Sequence, residues 1–244
     1  MTNSLSDRMK GYENVWRAYL PRRMPVMMRL DVRAAHTLTK NMEKPWDIDF
    51  MNNMDETAIF LCKSISTVQC AYIQSDEITL LLHPYKNLNS EPWFDNNILK
   101  IVSISSALAS VFFSLKYSWE VLARLFLGKR RIEDLVVLFD SRAWVLPEAE
   151  VNNSFLLQQQ YASRNAIQML GQAYFSHAQL QGKSCNQIQE MLWQDHKINF
   201  DSFEPYYKRG RCVVKGDNGW FVDRNIPIFS QDKNYVEQWL VTDE

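Results

Sequence analysis

The sequence predicts an α+β protein whose first part is a ferredoxin-like unit with the element order βαββαβ. Two observations lead to this class. Apolar strand-like runs alternate in that order with segments whose apolar residues recur at helical spacing. Beyond Pro147 the pattern turns mostly helical. We therefore expect a main domain over residues 1–147 and a mostly helical region over residues 148–244.

The first strand and the first helix follow directly from the apolar pattern. Residues Met24–Arg33 are mostly apolar and suit a buried strand. The positions that then recur at helical spacing are Met51, Met54, Ala58, Leu61, Cys62 and Ile65. A strand therefore leads into a helix.

A hairpin and a second helix are predicted next. Residues Val68–Leu82 are apolar except for Gln74-Ser75-Asp76-Glu77, which predicts two strands with an acidic tip. The second helix is indicated by Ile98, Ile101, Ser105, Leu108, Phe112 and Leu115. Small residues along it would allow close packing on a sheet. Leu135–Leu146 supplies the last strand, and Val151–Gln172 and Cys185–Trp193 predict later helices.

Composition indicates an ordinary globular protein. Of 244 residues, 46% are hydrophobic and 23% charged, which excludes a disordered or fibrous chain. The 27 Lys and Arg residues nearly balance 28 Asp and Glu residues, for a net charge of −1. A nucleic-acid partner would therefore need a local basic patch.

The cysteines and histidines exclude several kinds of site. The cysteines, Cys62, Cys70, Cys185 and Cys212, form no CxxC pair. The histidines, His36, His83, His177 and His196, are scattered, which argues against a zinc site or a histidine-based triad. No leader resembles a signal peptide, and no apolar run approaches the ~20 residues of a membrane span. We expect a reduced, cytoplasmic protein without a membrane partner.

Two aspartates are the strongest candidates for chemistry. Asp31 ends an otherwise apolar strand, and Asp76 lies at the hairpin tip. The first and third strands of a βαββαβ unit are usually neighbours, so we expect the two carboxylates to lie close together. They would repel one another unless a cation lay between them. Mg²⁺ held by one or two carboxylates and substrate phosphates is the usual solution, which predicts a nucleotidyltransferase. Alternatively, the polar tip is only a turn.

Cations around Asp31 suit a triphosphate. They are Arg29, Arg33, Lys40 and Lys44. They could neutralise phosphate oxygens, or they could form a solvated cluster with Asp47 and Asp49. Lys100, near the start of the second helix, is expected to face the same end of the sheet and is a further phosphate candidate.

Seven short stretches carry a resemblance to a known family. In chain order they are Arg29-Leu30-Asp31 with His36, Lys44-Pro45-Trp46-Asp47, Gln74-Ser75-Asp76-Glu77, Phe139-Asp140-Ser141-Arg142, Arg164-Asn165, Phe175-Ser176-His177 with Leu180-Gln181-Gly182-Lys183-Ser184, and Tyr207-Lys208-Arg209-Gly210. In this register the chain resembles the tRNA-histidine guanylyltransferases and their guanylyltransferase-like relatives, the 3′-to-5′ RNA polymerases.

The resemblance implies a fold and a reaction. The fold would be a polymerase palm. The 3′-hydroxyl of an incoming nucleotide would attack an RNA 5′ end that is activated by ATP or already carries a triphosphate. The resemblance also implies two Mg²⁺ ions, ATP and GTP or another nucleoside triphosphate as substrates, tRNA as partner, and a homo-oligomer, since family members are tetramers.

The resemblance also implies residue roles. Asp31 and Asp76 would hold the metals with the backbone carbonyl of Val32, and Glu77 would support the catalytic site. Residues implied to bind nucleotide are Arg29, His36, Lys44, Asp47, Ser75 and Lys100, with Asp47 at the base. Residues implied to bind RNA are Arg164, Asn165, Lys183, Lys208 and Arg209.

Some positions depart from the family pattern. Val32 and Ala35 replace a glycine and an aromatic residue near the metal site, and Asn97 replaces a common arginine. Ser163-Arg164-Asn165-Ala166 replaces a His-Ile-Asn-Asn motif, which favours the branch that repairs truncated tRNA 5′ ends by templated addition. The alternatives are addition of one G to histidine tRNA, a catalytically silent RNA-binding relative, and a nucleotide cyclase.

Overall fold

The strands form one antiparallel sheet. The computed structural model describes residues 4–87, 89–125 and 136–242, with the backbone alone over residues 118–125. The strands are β1 (Val26–Val32), β2 (Val68–Gln74), β3 (Glu77–Leu82), β4 (Phe139–Val145), β5 (Arg211–Gly216) and β6 (Gly219–Asp223). Their order in the sheet is β4-β1-β3-β2-β5-β6.

The helices connect and cover these strands. They are α1 (Leu5–Asn14), α2 (Ala35–Thr39), α3 (Ile48–Ser64), α4 (Ile98–Leu125), α5 (Glu148–Tyr174), α6 (His177–Leu180), α7 (Cys185–His196), α8 (Pro205–Arg209) and α9 (Asn234–Glu237). Short 3₁₀ turns lie at Trp93–Asn96, Phe200–Ser202 and Gln238–Leu240.

The predicted fold class is confirmed. The first four strands have the order β4-β1-β3-β2, with β1 beside β3, and α3 and α4 provide the two crossovers. The sequence analysis did not predict β5 and β6, which extend the same sheet from β2. The C-terminal part of the chain is thus helical with an added hairpin, and the division at residue 147 stays a prediction. Part of the last predicted strand, Leu135, lies outside the described residues.

Alternation along β1 divides its side chains between two faces of the sheet. Val26, Met28, Leu30 and Val32 lie in the main core, which also contains residues of α3 and α4. The side chains between them, such as Arg29, point to the opposite face. This second face is the one that carries the candidate chemistry.

The second face is covered only in part. Met27 of β1 and Tyr72 of β2 pack with Phe155 of α5 and Phe229 in a second cluster. The Tyr72 ring meets the Phe155 ring edge-on, with centroids 6.2 Å apart. The apolar end of this face is therefore buried, whereas its polar end remains accessible.

Helix α4 is held to strand β4 by serines. Ser106 Oγ donates to the carbonyl of Phe139 at 2.8 Å, and the Phe139 N–H donates to Ser110 Oγ at 2.9 Å. The predicted close packing of this helix is confirmed. The expectation that no apolar segment approaches the length of a membrane span was wrong. Residues 98–117 of α4 are long and apolar enough, by length and composition, to cross a membrane. Five Ser and two Lys residues concealed this, because they interrupt the apolar run along residues 98–117.

Candidate active site

An acidic row crosses the sheet at the end of β1. Asp31 pairs with Asp140 of β4 on one side and with Glu77 of β3 on the other. Glu77 pairs in turn with Gln74 of β2. Side chains of directly paired residues point to the same face, so three carboxyl groups share one edge of the exposed face.

Asp76 lies beside this row, in the turn between β2 and β3. The Val32 N–H donates to the Asp76 carbonyl at 3.2 Å, which ties the end of β1 to the turn. Ser75 adopts a left-handed conformation with φ of 46°, as a tight turn requires. The structure therefore brings together Asp31, Val32 and Asp76, as the pairing of the first and third strands led us to expect.

Two arginines form the next row of the same face. Arg142 and Arg29 are paired across β4 and β1. Arg142 Nη2 donates to Asp31 Oδ2 at 2.9 Å and lies 3.3 Å from Asp140 Oδ1. Arg29 Nη1 lies 3.9 Å from Glu77 Oε2. These arginines offset part of the negative charge and are available to phosphate groups.

Asp140 and Arg142 had no role predicted from the sequence. Their stretch was recognised as a motif and as a polar break in an apolar strand. Only the register of β4 beside β1 shows that both side chains reach Asp31. The alternation of polar and apolar residues in β4 was the available signal, since it marks one polar face.

The pKa of Asp31 is raised, mainly because burial removes the carboxylate from water. The negative charges of Asp140 and Glu77 raise the pKa further, and Arg142 and Arg29 oppose the shift. A divalent cation at this position would relieve the repulsion. Carboxylate and carbonyl oxygens are the donors that Mg²⁺ prefers.

The oxygen donors near Asp31 fit a metal ion that takes some ligands from the protein and others from the substrate. Over residues 4–87, 89–125 and 136–242, no group of three or more His, Cys, Asp or Glu side chains is arranged as a metal site. Mg²⁺ commonly uses only one or two protein carboxylates and takes its remaining ligands from phosphates and water. Asp31 and Asp76, with the Val32 carbonyl, match that pattern.

A cavity of about 270 Å³ lies next to Asp76. Its walls come from α2, the α2–α3 connection, the β2–β3 turn, α5 and α8. The predicted site residues that line it are His36, Lys44, Asp47, Ser75, Asp76 and Asn165. Asp47 caps α3, because its Oδ1 accepts from the Phe50 N–H at 2.9 Å. The cavity thus joins residues from both predicted regions of the chain.

Aromatic residues form another wall of this cavity. Trp46 stacks on Tyr207, with ring centroids 4.5 Å apart, and meets Phe203 edge-on. Burial and a hydrogen bond with Tyr206 raise the pKa of Tyr207 to about 12. Tyr207 therefore stays neutral at physiological pH, and the wall offers flat apolar surfaces that suit a nucleobase.

A buried ion pair supports the cavity from behind. Arg211, only 2% exposed, lines the cavity and bonds to Asp55 of α3 and, at 3.0 Å, to the Met51 carbonyl. Arg224 Nη2 also donates to Asp55 Oδ2, at 3.0 Å. Burial lowers the pKa of Arg211, and Asp55 opposes that shift. The sequence analysis missed this group because it did not predict β5.

Lys100 is not brought to this site. Ser105 of α4 lies beside Ser141, which pairs with Leu30, whereas Ser110 lies beside Phe139, which pairs with Val32. The helix therefore approaches the Asp31 end of the sheet as the residue number rises. Lys100 precedes Ser105, so it lies toward the other end and on the α3–α4 face. The expectation that it faces the same end as Asp31 was wrong.

Asn97 caps the N-terminus of α4. It is 5% exposed, and its Oδ1 accepts from the Lys100 N–H at 3.1 Å. The three preceding residues, Phe94 to Asn96, all have φ between 50° and 59°. Asn97 thus ends an unusual left-handed turn and caps the helix.

The residues implied to bind RNA lie in the C-terminal half, in separate places. Lys208 and Arg209 line a second cavity, of about 370 Å³, together with Ser163. Arg164 is exposed on α5, one residue before Asn165 of the first cavity. Lys183 is exposed between α6 and α7. Arg164 and Asn165 thus lie on α5, and Lys208 and Arg209 lie on α8, which contacts α5, whereas Lys183 lies between α6 and α7.

The fold and this site define a class of protein. A βαββαβ sheet with carboxylates at one strand end, beside a cavity of about 270 Å³, is the palm-like arrangement of nucleotidyltransferases. The model of the family described as tRNA(His) guanylyltransferase matches residues 6–147. The chain belongs to this family of nucleotidyltransferases.

Solved structures are similar over almost the whole chain. A bacterial tRNA(His) guanylyltransferase-like protein in complex with ATP is 41% identical, with a TM-score of 0.88 over 97% of this chain and 99% of that chain. One in complex with GTP is 37% identical, with a TM-score of 0.79 over the same shares. A probable tRNA(His) guanylyltransferase of Dictyostelium discoideum is 24% identical over 88% of this chain and 84% of that protein.

Proposed function

We propose that this protein is a Mg²⁺-dependent, template-directed nucleotidyltransferase that adds nucleotides in the 3′-to-5′ direction to the 5′ end of tRNA or tRNA-like RNA. The observation that carries the proposal is the adjacency of Asp31 and Asp76 beside a cavity with aromatic and polar walls. The family membership supports the reaction class, and the bound ATP and GTP of similar proteins support the substrates.

Asp31, Asp76 and the Val32 carbonyl would hold the metal. When bound, Mg²⁺ supplies charge stabilisation for the transferring phosphoryl group. Glu77 adds negative charge beside Asp31 and so favours a cation there. Arg29 and Arg142, one row away on the same face, would bind phosphate oxygens through charge-assisted hydrogen bonds.

The cavity would bind the nucleotide that activates the RNA 5′ end. Trp46 and Tyr207 offer stacking surfaces, and Asp47 and His36 offer polar contacts in the same wall. Lys44 lies at this cavity and would reach phosphate oxygens. In this arrangement the base lies toward the aromatic wall and the phosphates lie toward Asp76.

The RNA would lie along α5 and α8. Arg164, Lys208 and Arg209 provide local positive charge, although the protein as a whole carries a net charge of −1. Such contacts to phosphates are independent of sequence. Base pairing with the opposite strand would then select the added nucleotide, which matches the absence of a His-Ile-Asn-Asn motif at Ser163–Ala166.

We also propose that the protein is a homo-oligomer. Val111 and Leu115 on α4 are 60% and 68% exposed, and an apolar helix face of this kind is more stable when it is covered. Light scattering coupled to size-exclusion chromatography tests this directly. A mass above that of one chain is expected, and a monomer at micromolar concentration would contradict the proposal.

The function is tested by incubating the protein with labelled ATP, Mg²⁺, all four nucleoside triphosphates and a 5′-truncated tRNA. We expect RNA that is longer at its 5′ end. RNA that is bound but unchanged would instead show a silent RNA-binding protein, and a cyclic nucleotide would show a cyclase. Asp217→Ala, in the exposed turn after β5, serves as a matched control for Asp31→Ala, because it removes a carboxylate far from the cavity.

A further inference from the structure

We propose that Gln74 binds the ribose of the nucleotide in the cavity, through a hydrogen bond from a ribose hydroxyl to its side-chain oxygen. This inference rests on the proposed function, because it assumes that the cavity beside Asp76 holds a nucleotide. It adds a residue that recognises the sugar, for which no contact was predicted from the sequence.

The orientation of the Gln74 amide is determined by its neighbour. Gln74 Nε2 donates to Glu77 Oε2 at 2.9 Å, across the turn between β2 and β3. An ionised carboxylate only accepts hydrogen bonds, so the amide nitrogen must face Glu77. The amide oxygen must therefore face away from Glu77, and Gln74 is one of the residues that line the cavity.

The amide oxygen has no protein partner. Gln74 is only 5% exposed, and within the described parts of the chain its Oε1 is buried without a hydrogen bond. Leaving a buried acceptor unpaired is unfavourable, and folded proteins seldom do so without reason. A ligand that donates to Oε1 would remove this penalty.

Buried amides of the described residues differ in how they are paired. Gln158 Oε1 on α5 is also buried without a hydrogen bond, but Gln158 does not line the cavity, whereas Gln74 does. The neighbouring Gln159 shows a fully paired amide. Gln159 of α5 is 4% exposed, and both ends of its side chain are bonded. Its Nε2 donates to the Pro227 carbonyl, and its Oε1 accepts from the Phe229 N–H, each at 2.9 Å. Gln74 has only the first kind of bond, and its free acceptor belongs to a cavity residue.

The position of Gln74 selects the ribose among the parts of a nucleotide. Phosphates at neutral pH carry no strong donor, so they cannot satisfy an amide oxygen. The base would lie toward Trp46 and Tyr207, whereas Gln74 directly precedes Ser75 and Asp76 in the turn expected to face the phosphates. The ribose joins the base to the phosphates, and its 2′ and 3′ hydroxyls are donors.

Equilibrium binding of nucleotides, measured without RNA by isothermal titration calorimetry, tests this inference. The ligands are ATP, 2′-deoxy-ATP, 3′-deoxy-ATP and inosine triphosphate. The proteins are the wild type, Gln74→Met and the control Gln69→Met. Methionine keeps the length of glutamine without its hydrogen bonds. Gln69 lies at the other end of the same strand, where its Nε2 donates to the Thr67 carbonyl at 3.0 Å.

We expect wild type and Gln69→Met to bind one of the two deoxy analogues about fivefold more weakly than ATP, which is the usual effect of one hydrogen bond. In Gln74→Met the same analogue should bind as well as ATP. Thermal unfolding of each variant checks that the fold is retained, and the wild-type comparison of ATP with its deoxy analogues stands even if Gln74→Met does not fold.

Three results would overturn the inference. The wild type could bind ATP and both deoxy analogues equally well. Gln74→Met could keep the full deoxy penalty. Alternatively, the wild type could bind inosine triphosphate more weakly than ATP, and this difference could disappear in Gln74→Met. That result would place the amino group of the base, and not the ribose, at Gln74. If the wild type bound none of these nucleotides, the proposed function itself would fail, and that outcome is distinct from the first three.

Discussion

Asp31 is surrounded by the charges that explain its position. It ends a buried strand, yet it lies between Asp140 and Glu77 on the open face of the sheet. Arg142 bonds to it at 2.9 Å, yet the pKa of Asp31 remains raised, mainly because the carboxyl group is partly buried and further because of the negative charges of Asp140 and Glu77. A cation bound at this position would relieve the repulsion between these carboxylates.

At this scale we predict that Asp31→Ala and Asp76→Ala each reduce nucleotide addition by more than tenfold and leave the fold intact. Each change removes a proposed metal ligand, and such a loss is expected to cost several kcal/mol of transition-state stabilisation. Single-turnover rates and thermal unfolding measure the two effects, with Asp217→Ala as the control. Retention of more than about a tenth of the wild-type rate would exclude the metal role.

Only part of the candidate site could be predicted from the sequence. The rest depends on the register of the strands, which the sequence does not show directly. Asp31 and Asp76 could be proposed as candidates because carboxylates at the ends of apolar runs are unusual. Arg142 and Asp140 could not, because their approach to Asp31 depends on which strand lies at the edge of the sheet. The expectation for Lys100 failed for a different reason. Strand β3 runs from Glu77, beside Asp31, to Leu82, beside Val26, so the helix that follows β3 begins at the end of the sheet opposite Asp31.

At the scale of elements, the start of α4 depends on one capping residue. Asn97 is buried and caps the helix, so an arginine at this position would lose the cap and crowd its neighbours. We predict that Asn97→Arg lowers the free energy of unfolding by at least about 1 kcal/mol.

Urea denaturation measures this change. Asn97→Asp is the matched control, because aspartate also caps helices well and should be close to neutral. An Asn97→Arg protein as stable as the wild type would show that the cap contributes little. It would also show that an arginine can be accommodated at position 97, where it could contact a nucleotide.

The entry into β5 depends on one glycine. Gly210 has φ of 78°, and a Cβ there would lie 2.6 Å from the Ile73 carbonyl oxygen and 2.7 Å from Tyr72 Oη. We predict that Gly210→Ala lowers the free energy of unfolding by about 2 kcal/mol or more, because the strain and the contact both oppose the native backbone. It should also weaken nucleotide binding, since Arg211 follows directly in the cavity wall.

Chemical denaturation and nucleotide titration measure these two effects. Gly11→Ala, in the exposed helix α1 with nothing near the added methyl group, should be neutral or slightly stabilising. If Gly210→Ala behaved like Gly11→Ala, the close approach of β5 to β2 would not be needed for stability.

Elements could be predicted where the apolar pattern was clear. Helices α3 and α5 and strands β1 to β3 carry such a pattern, whereas β5 and β6 are short and have charged residues or glycine at both ends. Short strands of this kind are stabilised by pairing with a distant partner, here β2, which local pattern does not report.

At the scale of the whole molecule, charge is distributed by region. The net charge of −1 hides an acidic row on the sheet and cations along α5 and α8. A nucleic acid would be attracted to the second region and would bring its 5′ end to the first. This separation of negative and positive charge explains how a nearly neutral protein could bind RNA.

We predict that Arg164→Ala and Lys208→Ala weaken the binding of all tRNAs alike and reduce the salt dependence of binding. Each cation lost from a phosphate contact should lower the slope of log affinity against log salt by roughly one. Filter binding at several salt concentrations measures the slope. Lys215→Ala, in β5 away from both cavities, is the control. A loss confined to one tRNA would show sequence recognition instead of backbone contact.

We propose that the added nucleotide is chosen by pairing with the opposite strand. The most direct test is extension of 5′-truncated tRNAs in which the template bases of the acceptor stem, or the anticodon, are changed separately. We predict that the added nucleotide follows every change of template base and is indifferent to the anticodon. If only tRNA with the histidine anticodon is extended, and only by G opposite any base, templated repair is contradicted and single-G addition replaces it.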